Sequence, residues 1–170
     1  MACYADLGEF IDKNQCQCLN EMKDHDVSSL FDGNPVTYLQ SDPSTDSQLL
    51  ITIGFRLPVK VASIKFEMPA GAQETETPDT IKIWNKKDDS LDCASAEETA
   101  ALEEWVVVPG EEFPVRLAKF SNVHHLQIFV QGSRGAANDD PDVSTKIGRI
   151  TITGQPAQAM DMKDWKPIKG

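Results

Sequence analysis

The chain has 170 residues, with 16 Lys and Arg against 27 Asp and Glu, a formal net charge of -11 and 40% hydrophobic residues. That is one domain's worth of chain, long enough to bury about two-thirds of its unfolded surface, and its apolar residues are too evenly spread for wholesale disorder. The acidic balance excludes a nucleic-acid backbone or an anionic membrane as partner, because both select a basic face, and no apolar run approaches the roughly 20 residues of a membrane helix.

The opening Met1-Ala2-Cys3-Tyr4-Ala5-Asp6 has neither a basic nor an apolar stretch, and no Asn-x-Ser/Thr acceptor follows it anywhere, so export is not expected. Leu7, Phe10 and Ile11 have the spacing of one helical turn, weakened by Gly8. Cys3, Cys16, Cys18 and Cys93 are expected as reduced thiols. Cys16-Gln17-Cys18 lacks the C-x-x-C spacing of redox sites and has no second cysteine pair to complete a zinc site, so no metal or cofactor is expected. Residues 20–48 are polar, punctuated by Asp32-Gly33-Asn34-Pro35 and Ser41-Asp42-Pro43-Ser44, with a weak strand at Val36 to Leu39.

From residue 49 the texture is that of strands. Ile51, Ile53 and Phe55 share one face at period two, and Leu57-Pro58 should end that strand. In residues 59–66 both parities carry apolar side chains, which predicts a strand covered on two sides. Thr80 to Trp84 alternates cleanly, with Ile81 and Ile83 opposite Lys82 and Trp84. Ser95-Ala96-Glu97-Glu98 has the form of a capping box and predicts a short exposed helix. Trp105 to Val108, Val115 to Phe120, Leu126 to Val130 and Ile147 to Thr153 complete eight strands. Many short strands with Gly and Pro punctuation and almost no helix predict an all-β fold, a jelly-roll of two packed antiparallel sheets in one domain.

Catalytic groupings are missing from the sequence. No phosphate-binding glycine motif, zincin motif or serine elbow occurs. His124 and His125 are adjacent in a strand and leave opposite faces. Gln131-Gly132-Ser133-Arg134-Gly135 reads as a flexible turn with no helix behind it. Asn138 to Asp142 is oxygen-rich but lacks the Gly and Glu of an EF-hand register. The acidic clusters read as solvated surface.

Several segments together resemble the PITH family, the proteasome-interacting domain found at the C-terminus of a thioredoxin-like protein. They run in order: Asp6-Leu7 with Phe10-Ile11-Asp12, Gln17 to Glu21, Leu39 to Asp42, Gln48 to Ile53, Pro58-Val59-Lys60, Ile64-Lys65-Phe66 and Ile81-Lys82-Ile83. Lys119 to Val123, Leu126 to Gln131, Gly154-Gln155-Pro156 and Met160 to Lys166 complete the match over essentially the whole chain. The resemblance implies a galactose-binding-like β-sandwich, a non-enzymatic role, association with the 26S proteasome, and a place in the cytoplasm and nucleus, as a monomer. It divides the chain into a leader (1–20) packed on the domain, the sandwich (21–156) and a tail (157–170). The sequence departs from the family in the residues after Val130, where Ser133-Arg134-Gly135 and a longer 136–143 stretch replace a tighter turn, and in lacking the longer tail of thioredoxin-fused members. With no C-x-x-C, reductase activity is not implied.

The residues assigned to partner contact are Arg134, Met160, Asp161, Met162, Lys163, Asp164, Trp165 and Lys166, the last seven forming a Met- and Trp-containing stretch of the kind enriched at interfaces. Packing of that stretch back onto the sandwich is the alternative. Two other functions stay open: a carbohydrate- or small-ligand-binding jelly roll, and a thiol-based regulator acting through Cys16 and Cys18.

Overall fold

The computed structural model of the chain describes residues 4–34 and 36–157. Its organising element is a 19-residue strand, β4 (Leu49–Glu67). The first half of β4 is hydrogen-bonded to β8 (Val123–Val130) on one side and to β2 (Gln17–Leu19) on the other. Its second half pairs with β10 (Arg149–Pro156) and β7 (Glu112–Pro114). The expected break at Leu57-Pro58 is therefore a corner. The register against β8 jumps between Gly54 and Val59, the chain passes from one sheet to the other, and Pro58 falls where no ladder N–H is needed.

One sheet has the order β2-β4-β8-β5-β6, with β5 at Thr80–Trp84 and β6 at Glu103–Val106. The other has the order β1-β10-β4-β7, with β1 at Ala5–Asp6. β3 (Leu39–Gln40) and β9 (Lys146–Ile147) form a separate two-stranded ribbon. All pairings are antiparallel, and the whole is the expected jelly-roll sandwich. Within the stretch 1–20 read as a leader, β1 and β2 supply an edge strand to each sheet. The predicted strand at Val115 to Phe120 is instead a turn, closed by Lys119 N–H to Arg116 O and Phe120 N–H to Leu117 O. Its two ends still bond β4, Val115 through its N–H to Ala62 O and Phe120 through its carbonyl, which accepts the Val61 N–H.

Ile51, Ile53, Ile64, Phe66, Ile81, Ile83, Leu126, Ile128, Ile150 and Ile152 meet between the sheets in one buried core. Each such side chain contributes roughly 1.5–3 kcal/mol on burial. The two-sided cover expected for residues 59–66 does not occur. The β10–β4 register shifts where Thr153 faces Ser63 and Gly154 faces Val61, leaving Ala62 as the extra residue of a β-bulge. The bulge switches parity, so Val59 and Val61 before it and Ile64 and Phe66 after it all point inward. Here the backbones approach so closely that a Cβ on Gly154 would lie 1.9 Å from the Lys60 carbonyl oxygen.

The half of β4 covered on both sides is the first. Leu50 turns away from the main core and packs with Phe129, Trp84, Leu91 and Ala96 in a second cluster. The cover there is the 85–101 connection carrying helix α1 (Cys93–Glu98). The N-cap of α1 is Asp92, whose carboxylate accepts the Ser95 N–H while Ser95 Oγ accepts the Asp92 N–H. Ser95 is thus the third residue of a capping box and not its cap, because the helix starts one turn earlier, at Asp92. At the far end of α1, Lys82 Nζ donates to the carbonyls of Ala96, Glu97 and Thr99 at 3.2, 2.8 and 3.2 Å. Trp84 Nε1 donates to Ala100 O at 2.9 Å.

Many aspartates are turn residues more than solvated charges. Asp6, Asp12, Asp26, Asp32, Asp42, Asp46 and Asp88 each accept the backbone N–H two residues on. The Asp12 carboxyl is held below its ordinary pKa first by the Gln15 side chain, Asp42 by the Ser44 N–H, Asp88 by the Ser90 hydroxyl and Asp92 by the Ser95 N–H. A carboxyl whose pKa is lowered on folding stabilises the fold above its unfolded pKa and loses that contribution as pH falls through the folded value. The urea midpoint should therefore fall as pH drops below about 4. An Asp42→Ala/Asp88→Ala double variant should show a shallower fall over the same range; an unchanged slope would remove these turns as its cause.

Candidate interaction surface

Helix α2 (Arg134–Ala137) begins immediately after the glycine-containing stretch 131–133, correcting the expected flexible turn. Ser133 is fully buried. Its hydroxyl accepts the Ala136 N–H at 3.0 Å and donates to Val143 O at 2.7 Å, while its own N–H donates to Ser47 Oγ at 3.1 Å. These bonds, with Gly135 packed against Val143, convert the segment into a fixed corner. Arg134 is half-buried, donating its N–H to Thr77 O and its guanidinium to Val107 O. At the other end of β6, Arg116 donates to Leu102 O and to Glu103. Two arginines therefore take carbonyls at both ends of an edge strand, which blunts its capacity to pair with another chain. Met160, Asp161, Met162, Lys163, Asp164, Trp165 and Lys166 lie outside the described residues.

The thiols are poorly placed for redox chemistry. Burial pushes the Cys16 and Cys18 thiols up, Cys18 well above the ordinary range, and Cys93 is pushed up to about 11 by burial and then by Asp46, Asp92 and Glu97. Nucleophilic thiols need the opposite shift. His125 Nε2 lies 3.0 Å from Gln15 Oε1, and desolvation lowers its pKa, whereas His124 on the opposite face is exposed. Among the described residues no group of three or more His, Cys, Asp or Glu side chains could hold a metal ion. Trp84 is 8% exposed in the second cluster, and Trp105 is half-buried, stacked on Phe113 with ring centroids 4.9 Å apart. Neither is an open platform for a sugar ring.

Concavity is found elsewhere, at the end of the sandwich where β4 stops and β10 starts. A groove of about 390 Å³ is walled by Leu30, Met68, Ala70 and glycines 33 and 148, with Ser29, Asn34, Glu67 and Arg149 as its polar groups. A smaller hollow of about 130 Å³ extends it past Phe31 and Ile11 to Asp6. Glu67 and Arg149 are opposite one another in the β4–β10 ladder. The Arg149 guanidinium nevertheless reaches across to Asp6, with Nη2 3.3 Å from Oδ2. Among the described residues, no ion pair or hydrogen bond engages the Glu67 carboxylate.

A family model, that of the PITH domain, matches residues 1–169. The chain belongs to the PITH domain family. Thioredoxin-like protein 1 of Schizosaccharomyces pombe is 34% identical over 159 residues, covering 90% of this chain and 52% of that protein. PITH domain-containing protein 1 of Danio rerio is 32% identical over 158 residues, 88% of this chain and 69% of its own length. This PITH domain thus spans about half the length of the first relative. Among solved structures, the family 32 CBM from C. perfringens NanJ, described in complex with galactose, has a TM-score of 0.59 at 13% identity and covers 89% of this chain and 99% of its own. CpGH89CBM32-5 from Clostridium perfringens, in complex with GalNAc-beta-1,3-galactose, has a TM-score of 0.61 at 11% identity, covering 87% and 99%. At such identities the likeness establishes the galactose-binding-like fold alone.

The residues by which this PITH domain is recognisable serve the fold. Asn20, at φ 73°, donates its amide to Asp46 Oδ1 and Gln48 O at 2.8 Å each, locking the 42–48 loop to β2. Phe120 is buried and its carbonyl accepts the Val61 N–H at 2.9 Å. The groove residues Glu67 and Arg149 carried no such signal, because they are brought together only by the register of strands more than eighty positions apart.

Proposed function

We propose that this PITH domain is a non-enzymatic interaction module that associates with the 26S proteasome in the cytoplasm and nucleus, acting as a monomer. The observation that carries the reading is the family match across residues 1–169. The occupied state of its polar groups supports it: burial pushes the Cys16 and Cys18 thiols up, His125 faces Gln15, and Arg134 and Lys82 bond backbone carbonyls. None of these is free to act on a substrate. A net charge of -11 further selects a basic protein surface over nucleic acid.

The test is an affinity capture of the tagged chain from cell lysate, read by mass spectrometry, followed by cross-linking to purified 26S particles. Recovery of proteasome subunits with cross-links to this domain is expected; capture without them overturns the reading. Carbohydrate binding is the second function, favoured by the shape shared with the galactose-bound module and disfavoured by the burial of Trp84 and the stacking of half-buried Trp105 on Phe113. Glycan-array binding above background would promote it.

A further inference from the structure

We propose that the groove between Leu30, Met68 and Arg149 receives an extended segment of a partner protein, anchored by a lysine or arginine whose charge meets Glu67. This names a docking site and rests on the reading of the domain as an interaction module. Three observations carry it. The first is the division of charge. Cross-strand neighbours in a ladder have side chains about 5 Å apart at Cβ and are the natural ion pair. Here Arg149 is committed to Asp6 at 3.3 Å, and no ion pair holds Glu67 among the described residues. The groove therefore presents one carboxylate in want of a cation.

The second is the lining. Leu30, Met68 and Ala70 flank Glu67 with apolar surface, and a lysine or arginine stem lies favourably on such a surface while its head remains at the polar group. The hollow continuing past Phe31 and Ile11 lengthens the groove beyond a single side chain, which suits a segment of chain. The third is the field. A protein of net charge -11 draws cationic segments towards it and repels acidic ones, so the occupant is basic and not a carboxylate seeking Arg149.

The probe is the peptide acetyl-Ala-Leu-Lys-Leu-Ala-amide, titrated into the ¹⁵N-labelled chain, with the Glu-centred peptide as its counterpart. Amide shifts should move around Leu30, Gly33, Met68, Gly148 and Arg149 with the Lys peptide. Glu67→Gln should weaken binding by up to about five-fold, the effect of one exposed ion pair. Glu67→Lys should transfer the preference to the Glu peptide. Glu67 is partly exposed on β4, and unchanged spectra away from the groove will establish that each variant is folded. Equal shifts with both peptides, shifts elsewhere, or insensitivity to both variants would each overturn the proposal. Capture of the proteasome by wild-type and Glu67→Lys chains alike would discard the groove while leaving the interaction module standing; failure of the wild type to capture it would discard the proteasome and leave the peptide result to stand alone.

Discussion

Gly154→Ala is expected to destabilise the domain by at least about 3 kcal/mol, a loss beyond the usual range for one added methyl. The added Cβ would sit 1.9 Å from the Lys60 carbonyl oxygen and 3.1 Å from Leu7 Cδ1. A flexible side chain could turn aside, but the nearer atom is backbone, and it belongs to the strand that joins the two sheets. Relief requires β10 to draw away from β4 at the bulge, where Gly154 faces Val61 and Gln155 faces Lys60. The same movement would disturb β1, since Ala5 pairs with Gly154 on its other edge. For a domain of this size the melting temperature should drop by about 10 °C. A variant melting within 2–3 °C of wild type, roughly the shift from 1 kcal/mol, would show that the bulge relaxes freely and that glycine is not required.

That bulge also marks the limit of what the sequence discloses. Alternation over Ile51, Ile53, Ile81, Ile83, Ile150 and Ile152 identifies strands and their inner faces because each apolar side chain leaves the same side of an undistorted ladder. Residues 59–66 break the pattern, and two causes look identical in sequence: cover on both faces, or one extra residue that switches parity. Only the partner strand decides between them. The two- and three-residue strands β1, β2 and β9 carry no period and exist through pairing alone. Asp92 and Ser95 both suit an N-cap, and in the structure Asp92 takes that place while Ser95 completes the reciprocal pair from the third helical position. The candidate site was less legible still. Arg134, singled out by its charge beside glycines, proves to be tied to Val107 O, while the groove is assembled from residues 29–34, 67–70 and 148–149, none of them a motif.

Lys82→Met should loosen the cover over Trp84 and cost about 3 kcal/mol, because it removes the one donor shared by three carbonyls at the end of α1. Methionine keeps most of the stem's volume, so the change isolates the ammonium from the packing of its methylenes. Lys82 is 7% exposed and Ala96 is fully buried, so the Ala96 carbonyl has no alternative partner in water, whereas Glu97 and Thr99 are exposed. Its positive charge also lies at the negative end of the helix, where it is favoured by the aligned peptide dipoles. Loss of the ammonium should free Ala96 from the face of Leu50 and Phe129 and expose Trp84, whose indole N–H depends on Ala100 in the same connection. Faster amide exchange confined to residues 93–101, with a red-shifted tryptophan emission and an intact sandwich, is the expected pattern. Stability within about 0.5 kcal/mol of wild type, the ordinary scatter of a surface change, would mean that the carbonyls find water at no cost and that Lys82 is a bystander to the helix it touches.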